Sequence, residues 1–306
     1  MTKIPRIFHF VFGLRPQTEP FHLSHYLAIQ SCIEINNPEK VIFHYEHKPY
    51  GEWWDKIKDK IHLNPIKKNA YMNDFQYETP ALAKFRYAHL SDISRLEILL
   101  EYGGVYADID TVFVKRIPDD FFEHPCVMGM EKVDWNMPAA KKAGGSLCNA
   151  FIMAEKNSAF IKEWLHVILD EFDGTWSAHS TFLPYRLSKK HPDTIHIEPE
   201  NAFFYCDWSK AGIHNLFNKS ISLPDNVYSL HLWSHLWWDK RRCDFTYFHE
   251  GRLTANYVSF GNTTYSNLTR RFLPSDTYVN VNQYKKEVRK NYLETFKLFF
   301  QLKKGL

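Results

Sequence analysis

Two aspartates, Asp108 and Asp110, follow the strand-like run Val105-Tyr106-Ala107, which itself follows Gly103-Gly104. In extended backbone residues i and i+2 project to one side, so both carboxylates can aim at a single point. Like charges that close repel, and each keeps its proton unless a cation lies between them. A divalent ion relieves this, and hard carboxylate oxygens select Mn²⁺ or Mg²⁺. A third carboxylate lies upstream. At about 100° per residue, Asp92 falls in the middle of the apolar face marked by Phe85, Ala88, Leu96 and Leu99. A carboxylate buried there needs a partner, and Arg95, one turn on, is the nearest. Taken singly, each feature also has a structural reading: a buried pair that fixes a helix, and a solvated turn after a strand. Joined through Gly103-Gly104, they argue for a site.

The elements that must position these groups follow from local pattern. Thr79-Pro80 reads as an N-cap with proline at the first helical position, and Gly103-Gly104 as the stop, which brackets a long helix before the acidic pair. Upstream, residues 4–12 are an apolar run read as a buried strand, 22–36 a helix, 41–45 a strand, about 53–60 a helix and 61–63 a short strand. This alternation predicts an α/β fold with a mixed, mainly parallel sheet flanked by helices. Ligands of such sheets bind beyond the carboxyl ends of strands, where both Phe12-Gly13 and the acidic pair fall. Downstream, 111–116 and 126–131 read as strands. Residues 135–150 read as a long loop closed by Asn149 before a strand at 150–154. Helices are expected at 158–172 and 180–190, and a strand at 195–198.

With 306 residues the chain holds one large domain, or a domain with an appendage. A net charge of +3 gives no reason to expect nucleic acid. Five cysteines, scattered and never in C-x-x-C, favour reduced thiols over a disulfide framework. No stretch approaches the ~20 apolar residues of a membrane span, and MTKIPRIFHF lacks a signal-peptide pattern. With Met1 as the native start, these point to a cytoplasmic protein.

The arrangement Ser91-Asp92-x-x-Arg95, then Gly103-Gly104-x-Tyr106-x-Asp108-x-Asp110, resembles the DXD glycosyltransferases that use sugar nucleotides. It is most similar to the group that includes yeast initiating mannosyltransferases, bacterial capsular and lipopolysaccharide transferases and clostridial glucosylating toxins. The resemblance implies a GT-A-type, Rossmann-like catalytic domain over 1–265. It implies transfer of a hexose from a nucleoside-diphosphate sugar, UDP-linked rather than GDP-mannose, to a saccharide or lipid-linked saccharide, with retention and an α-linkage. On that reading Asp108 and Asp110 hold Mn²⁺ or Mg²⁺, Tyr106 contacts the donor, and Asp92 and Arg95 address the sugar. Asn149 stands beside the sugar, and Phe12, where the toxins have tryptophan, stacks on the base. The segment Tyr228–Trp238 is similar to the family's late His- and Trp-rich segment. It offers His231 as a third metal ligand and Trp233, Ser234 and His235 as phosphate or lid contacts, although Leu236-Trp237 stands where Ser-Trp is expected.

Other readings stay open. Asp108-Ile109-Asp110-Thr111-Val112 also fits the D-x-D-x-T opening of haloacid-dehalogenase phosphatases, but a long helix precedes it and no partner lysine can be placed. A transferase fold that binds a nucleotide sugar without turnover, and a toxin-like enzyme that modifies a protein, are further alternatives. From 266 a C-terminal extension is expected. Within it residues 282–306 set Tyr284, Val288, Tyr292, Phe296, Phe299 and Phe300 near one helical face among many lysines. Such a helix either lies on the anionic inner face of a cell membrane or docks on the catalytic domain.

Overall fold

The computed structural model describes residues 3–66, 86–238 and 248–303, with backbone alone from 298 onward. Its centre is a seven-stranded sheet of order β3-β2-β1-β4-β7-β6-β8. The strands are β1 (Ile7–Phe12), β2 (Lys40–Tyr45), β3 (His62–Pro65), β4 (Gly104–Ala107), β6 (Cys126–Met130), β7 (Leu147–Ala154) and β8 (His196–Glu198). β1, β2, β3 and β4 pair in parallel, as do β6 and β8; β7 alone is reversed, between β4 and β6. The expected mixed, mainly parallel sheet flanked by helices is therefore the fold. A second, two-stranded sheet joins β5 (Thr111–Phe113) to β9 (Ser229–His231).

Apolar runs such as IFHFVF are buried on both faces, as strands in the middle of a helix-covered parallel sheet must be. One core, with Phe8, Phe10, Leu27, Phe43, Phe113 and Phe151, lies on the side of the helix Leu23–Asn36. The other, with Leu96, Leu99, Tyr106, Ile152 and Trp164, lies under the helices Arg86–Tyr102 and Ala159–Val167. The start of the long helix at Thr79-Pro80 and the apolar marker Phe85 lie outside the described residues, as does Cys243; the other four cysteines are buried and free.

The helix Arg86–Tyr102 ends where expected. Gly103 and Gly104 have φ of +65° and +110°, and a Cβ on Gly104 would stand 2.3 Å from Ile7 O. Only glycine lets β4 approach β1 this closely in that conformation. A buried relay supports the turn: Asn64 Nδ2 lies 2.9 Å from His44 Nδ1, His44 Nε2 lies 3.0 Å from His9 Nδ1, and His9 Nε2 lies 2.8 Å from Gly103 O. With the amide donating at one end and the carbonyl accepting at the other, both tautomers are determined. Burial keeps both rings neutral, lowering His9 to about 4 and His44 to about 3.

The segment 135–150 departs from the expected loop. It contains the helix Pro138–Ala143, and β7 begins at Leu147, so Asn149 lies within a fully buried strand rather than ahead of one. Pairing with β6 across a bulge at Met128/Gly129 extends β7 into a stretch whose Gly and Asn content reads as loop. The helix expected over 180–190 begins as a π-helical turn, Ala178–Phe182, and continues as Leu183–Lys190. The helix Thr264–Thr269 crosses residue 265 and buries Tyr265 in the larger core. Beyond it the long helix Val281–Lys303 packs on Ala255–Phe260.

Candidate active site

β4 delivers Tyr106 into the smaller core and Asp108 to the end of the sheet. There the Asp108 amide donates to Ala150 O (2.9 Å) and the Thr111 amide returns to Asp108 O (2.9 Å). This tight turn sends the chain into β5, which leaves the main sheet and pairs with β9. The register sets Thr111 against His231. That pairing carries His231 to the acidic pair: its Nε2 lies 3.0 Å from Asp110 Oδ1 and 3.7 Å from Asp108 Oδ2. Asp108, Asp110 and His231 offer one ligand atom each within 4.8 Å of one another. Two carboxylates and an imidazole on one concave point form a donor set that fits Mn²⁺ and, through the oxygens, Mg²⁺.

Burial opposes the charge on Asp110, but His231 and the Ser234 amide, which donates to Oδ2 at 2.8 Å, hold its carboxyl well below the usual range. Burial lowers His231 while Asp110 raises it, and the net direction is upward. Burial pushes Asp108 up in spite of Arg95 and His231, a carboxylate short of positive charge at the mouth of the sheet.

Arg95 joins the two acidic groups. Its guanidinium lies 3.0 Å from Asp92 Oδ1 and 3.4 Å from Asp108 Oδ1, and donates to Asn149 O at 2.6 Å. It also donates to Ser91 O and Ser91 Oγ, and lies over the Tyr106 ring at 4.7 Å. Tyr106 OH donates to Asp108 Oδ1 at 2.6 Å. Asp92, buried as expected, accepts from Asn149 Nδ2 (2.7 Å) and from His179 Nε2 (3.0 Å). Burial would raise its carboxyl, yet Arg95 and His179 keep it below the usual range. One continuous network therefore runs His179–Asp92–Arg95–Asp108–His231–Asp110.

The late segment divides its duties. Trp233, at φ +56°, turns its ring inward: it is buried, packs on His231 at 4.3 Å and donates its indole N–H to Cys206 O. Its side chain anchors His231 and is not an exposed lid contact, because the left-handed backbone swings it into the core. Ser234 presents its amide to Asp110, and His235 stacks on Trp176. Phe12 keeps partial exposure at the end of β1, packed on Phe21 and His25. Behind it His25 stacks on Trp238 at 4.9 Å, and its buried Nδ1 has no hydrogen-bond partner among the described residues.

Three participants escape a reading of the sequence. His179 belongs to a stretch whose only local signal is helical. Glu131, just past β6, accepts from Ser146 Oγ at 2.5 Å and is raised by burial, with Cys148 and Thr181 beside it. His25 resembles any helix-face histidine. Nothing in their spacing marks them, since each meets the site through a different strand or helix.

Residues 24–128, which contain Asp92, Arg95, Asp108 and Asp110, match the family model described as a glycosyltransferase sugar-binding region containing a DXD motif. The chain is 34% identical over 243 residues, 76% of its length, to Glucan organizing enzyme 1 of Cryptococcus neoformans var. grubii, and spans 63% of that protein. It is 31% identical over 127 residues, 39% of its length, to Toxin Afp18 of Yersinia ruckeri, and spans 6% of that protein. Among solved structures it resembles the PaToxG glycosyltransferase with 21% identity and a TM-score of 0.42, over 62% of this chain and 70% of that one.

Proposed function

We propose that this chain is a metal-dependent glycosyltransferase that moves a hexose from a nucleoside-diphosphate sugar, UDP-linked in preference to GDP-mannose, to a saccharide or lipid-linked saccharide. The observation that carries the reading is the Arg95 guanidinium, shared between Asp92 and Asp108. It ties a carboxylate suited to sugar hydroxyls to the carboxylates suited to a cation. Asp108, Asp110 and His231 would hold Mn²⁺ or Mg²⁺, which when bound supplies Lewis-acid stabilisation of the departing diphosphate.

The chain's own groups do the rest. Asp92 is kept ionised by Arg95, Asn149 and His179, which leaves one lone-pair direction for a donor hydroxyl. A hexose that fails to fill it leaves a buried anion under-bonded, and is rejected for that reason. Tyr106 and Arg95 fix the Asp108 carboxylate in place before the donor arrives. Phe12, backed by His25 and Trp238, offers an aromatic surface to the base, and His25 Nδ1 a polar contact beside it. For a retaining transfer, front-face attack places the acceptor oxygen beside the leaving phosphate, which takes its proton. The chain then needs to exclude water more than to provide a base.

A saccharide acceptor is supported by the 34% likeness to a protein named for glucan; the shorter likeness to a toxin supports a protein acceptor less. A thermal-shift and hydrolysis panel of nucleotide sugars, with and without Mn²⁺, tests the reading. A single donor class that stabilises and turns over only with the ion is the expected result. Hydrolysis of a generic aryl phosphate with no response to any nucleotide sugar would overturn it.

A further inference from the structure

The helix Val281–Lys303 is amphipathic in sequence but docks by its polar side. Glu287 accepts from Thr254 Oγ1 (2.8 Å) and Asn256 Nδ2 (3.0 Å), and Glu294 lies 3.5 Å from His249 Nε2. Arg252 donates to Asn291 O and to Thr295 Oγ1, and Tyr284 meets Phe260 at 6.0 Å. Asn280 caps the start, accepting from the amides of Asn282 (2.9 Å) and Gln283 (3.0 Å). Both acidic side chains of the helix are thereby spent on the protein-facing side. At about 100° per residue, Val281, Tyr292, Phe296 and Leu293 fall on the opposite half, interleaved with Lys285, Arg289, Lys286 and Lys297. Tyr292 is 72% exposed, Leu293 50% and Val281 46%.

We propose that this outward face is a docking surface for an anionic lipid bilayer. Three features choose that occupant. The face carries cations and no carboxylate, in a chain whose whole net charge is +3. A phosphate-rich surface complements it, whereas a second copy would set lysine and arginine rows against each other. Its apolar members stand among the cations rather than in a separate stripe. Such a face suits the headgroup–acyl boundary, where rings and aliphatic carbons enter the lipid while ammonium and guanidinium groups reach back to phosphate. The helix is also held rigid by the contacts of Glu287, Asn291 and Thr295, so the face is formed before a membrane is met. Among the described residues no helix is long and apolar enough to cross a membrane, so the contact is peripheral. The inference rests on this helix and holds independently of the donor chemistry.

Co-sedimentation of the full chain with vesicles tests it. Binding is expected to vesicles of equal parts phosphatidylcholine and phosphatidylserine, weakening as salt rises, with little to pure phosphatidylcholine. Arg289→Gln with Lys286→Gln should weaken binding about thirty-fold, at about fivefold per charge. Tyr292→Ser with Leu293→Ser should weaken it about tenfold or more. Both variants should melt like the parent, since all four side chains are exposed. No binding, equal binding to neutral vesicles, or binding that neither variant alters would overturn the proposal. So would a dimer, seen by sedimentation equilibrium, that these variants dissociate.

Discussion

His231 Nε2 sits 3.0 Å from Asp110 Oδ1, although 121 residues separate them in the chain. The contact exists because β5 leaves the main sheet to pair with β9, with Thr111 opposite His231. Asp110 is bound on its other oxygen by the Ser234 amide, so both ends of this carboxylate belong to the late segment. The acidic pair and that segment therefore form one unit. A change in either should be felt in the other.

Asp110→Asn keeps the shape of the side chain and removes its charge. Turnover with Mn²⁺ should fall by about 10²–10³-fold, the loss typical of removing one transition-state contact, with little change in the circular dichroism spectrum. Isothermal titration should show weaker Mn²⁺ binding in step. Near-parental turnover would remove the metal role.

Metal affinity should rise with pH. In the metal-free protein Asp110 raises His231 above its ordinary 6.5, so the imidazole keeps to higher pH a proton that a cation must displace. Below the raised value, affinity should fall about tenfold per pH unit, and titrations in buffers of different ionisation heat should reveal proton release. The stability of the metal-free protein runs the opposite way. A group with a raised folded pKa stabilises fully below its unfolded value, and that contribution disappears as pH climbs through the folded one. Asp110, held low, contributes above the ordinary carboxylate range and loses its contribution only as pH falls through its folded value. Melting curves without metal should thus decline on the alkaline side of 6.5, and His231→Gln should flatten that decline.

Asp92→Asn should impair use of the donor sugar more than affinity for the free nucleoside diphosphate. His179→Ala should reproduce a weaker form of the same split, because it frees Asp92 Oδ2 without touching the cation ligands. Unpairing the buried network also costs stability, about 3–5 kcal/mol if Asp92 is truncated to alanine and Arg95 is left behind. Equal losses for sugar and diphosphate would make Asp92 purely structural.

Gly104→Ala should destabilise by about 2–4 kcal/mol, since an added Cβ meets Ile7 O at 2.3 Å in a φ of +110°. Gly144→Ala is the control. Its φ is +80°, but the nearest atom to a new Cβ is Tyr185 Cε1 at 3.9 Å, so only the backbone cost of about 1 kcal/mol applies. Chemical denaturation of both variants measures the difference.

Much of this was legible in one dimension. Gly103-Gly104, the i, i+2 spacing of Asp108 and Asp110, and the placing of Asp92 and Arg95 one turn apart are local facts, governed by the periods of helix and strand. Those periods also predicted the parallel sheet, because alternating elements of that length leave few other ways to pack. What only the folded chain decided is who completes each group. His179 reaching Asp92, Asn149 lying inside β7, the inward turn of Trp233 and the polar-side docking of Val281–Lys303 all depend on contacts between distant segments. A periodic pattern states which face of a helix is apolar, but half-buried hydrogen bonds to Thr254 and Asn256 can outweigh it. Choosing between them requires the surface against which the helix lies.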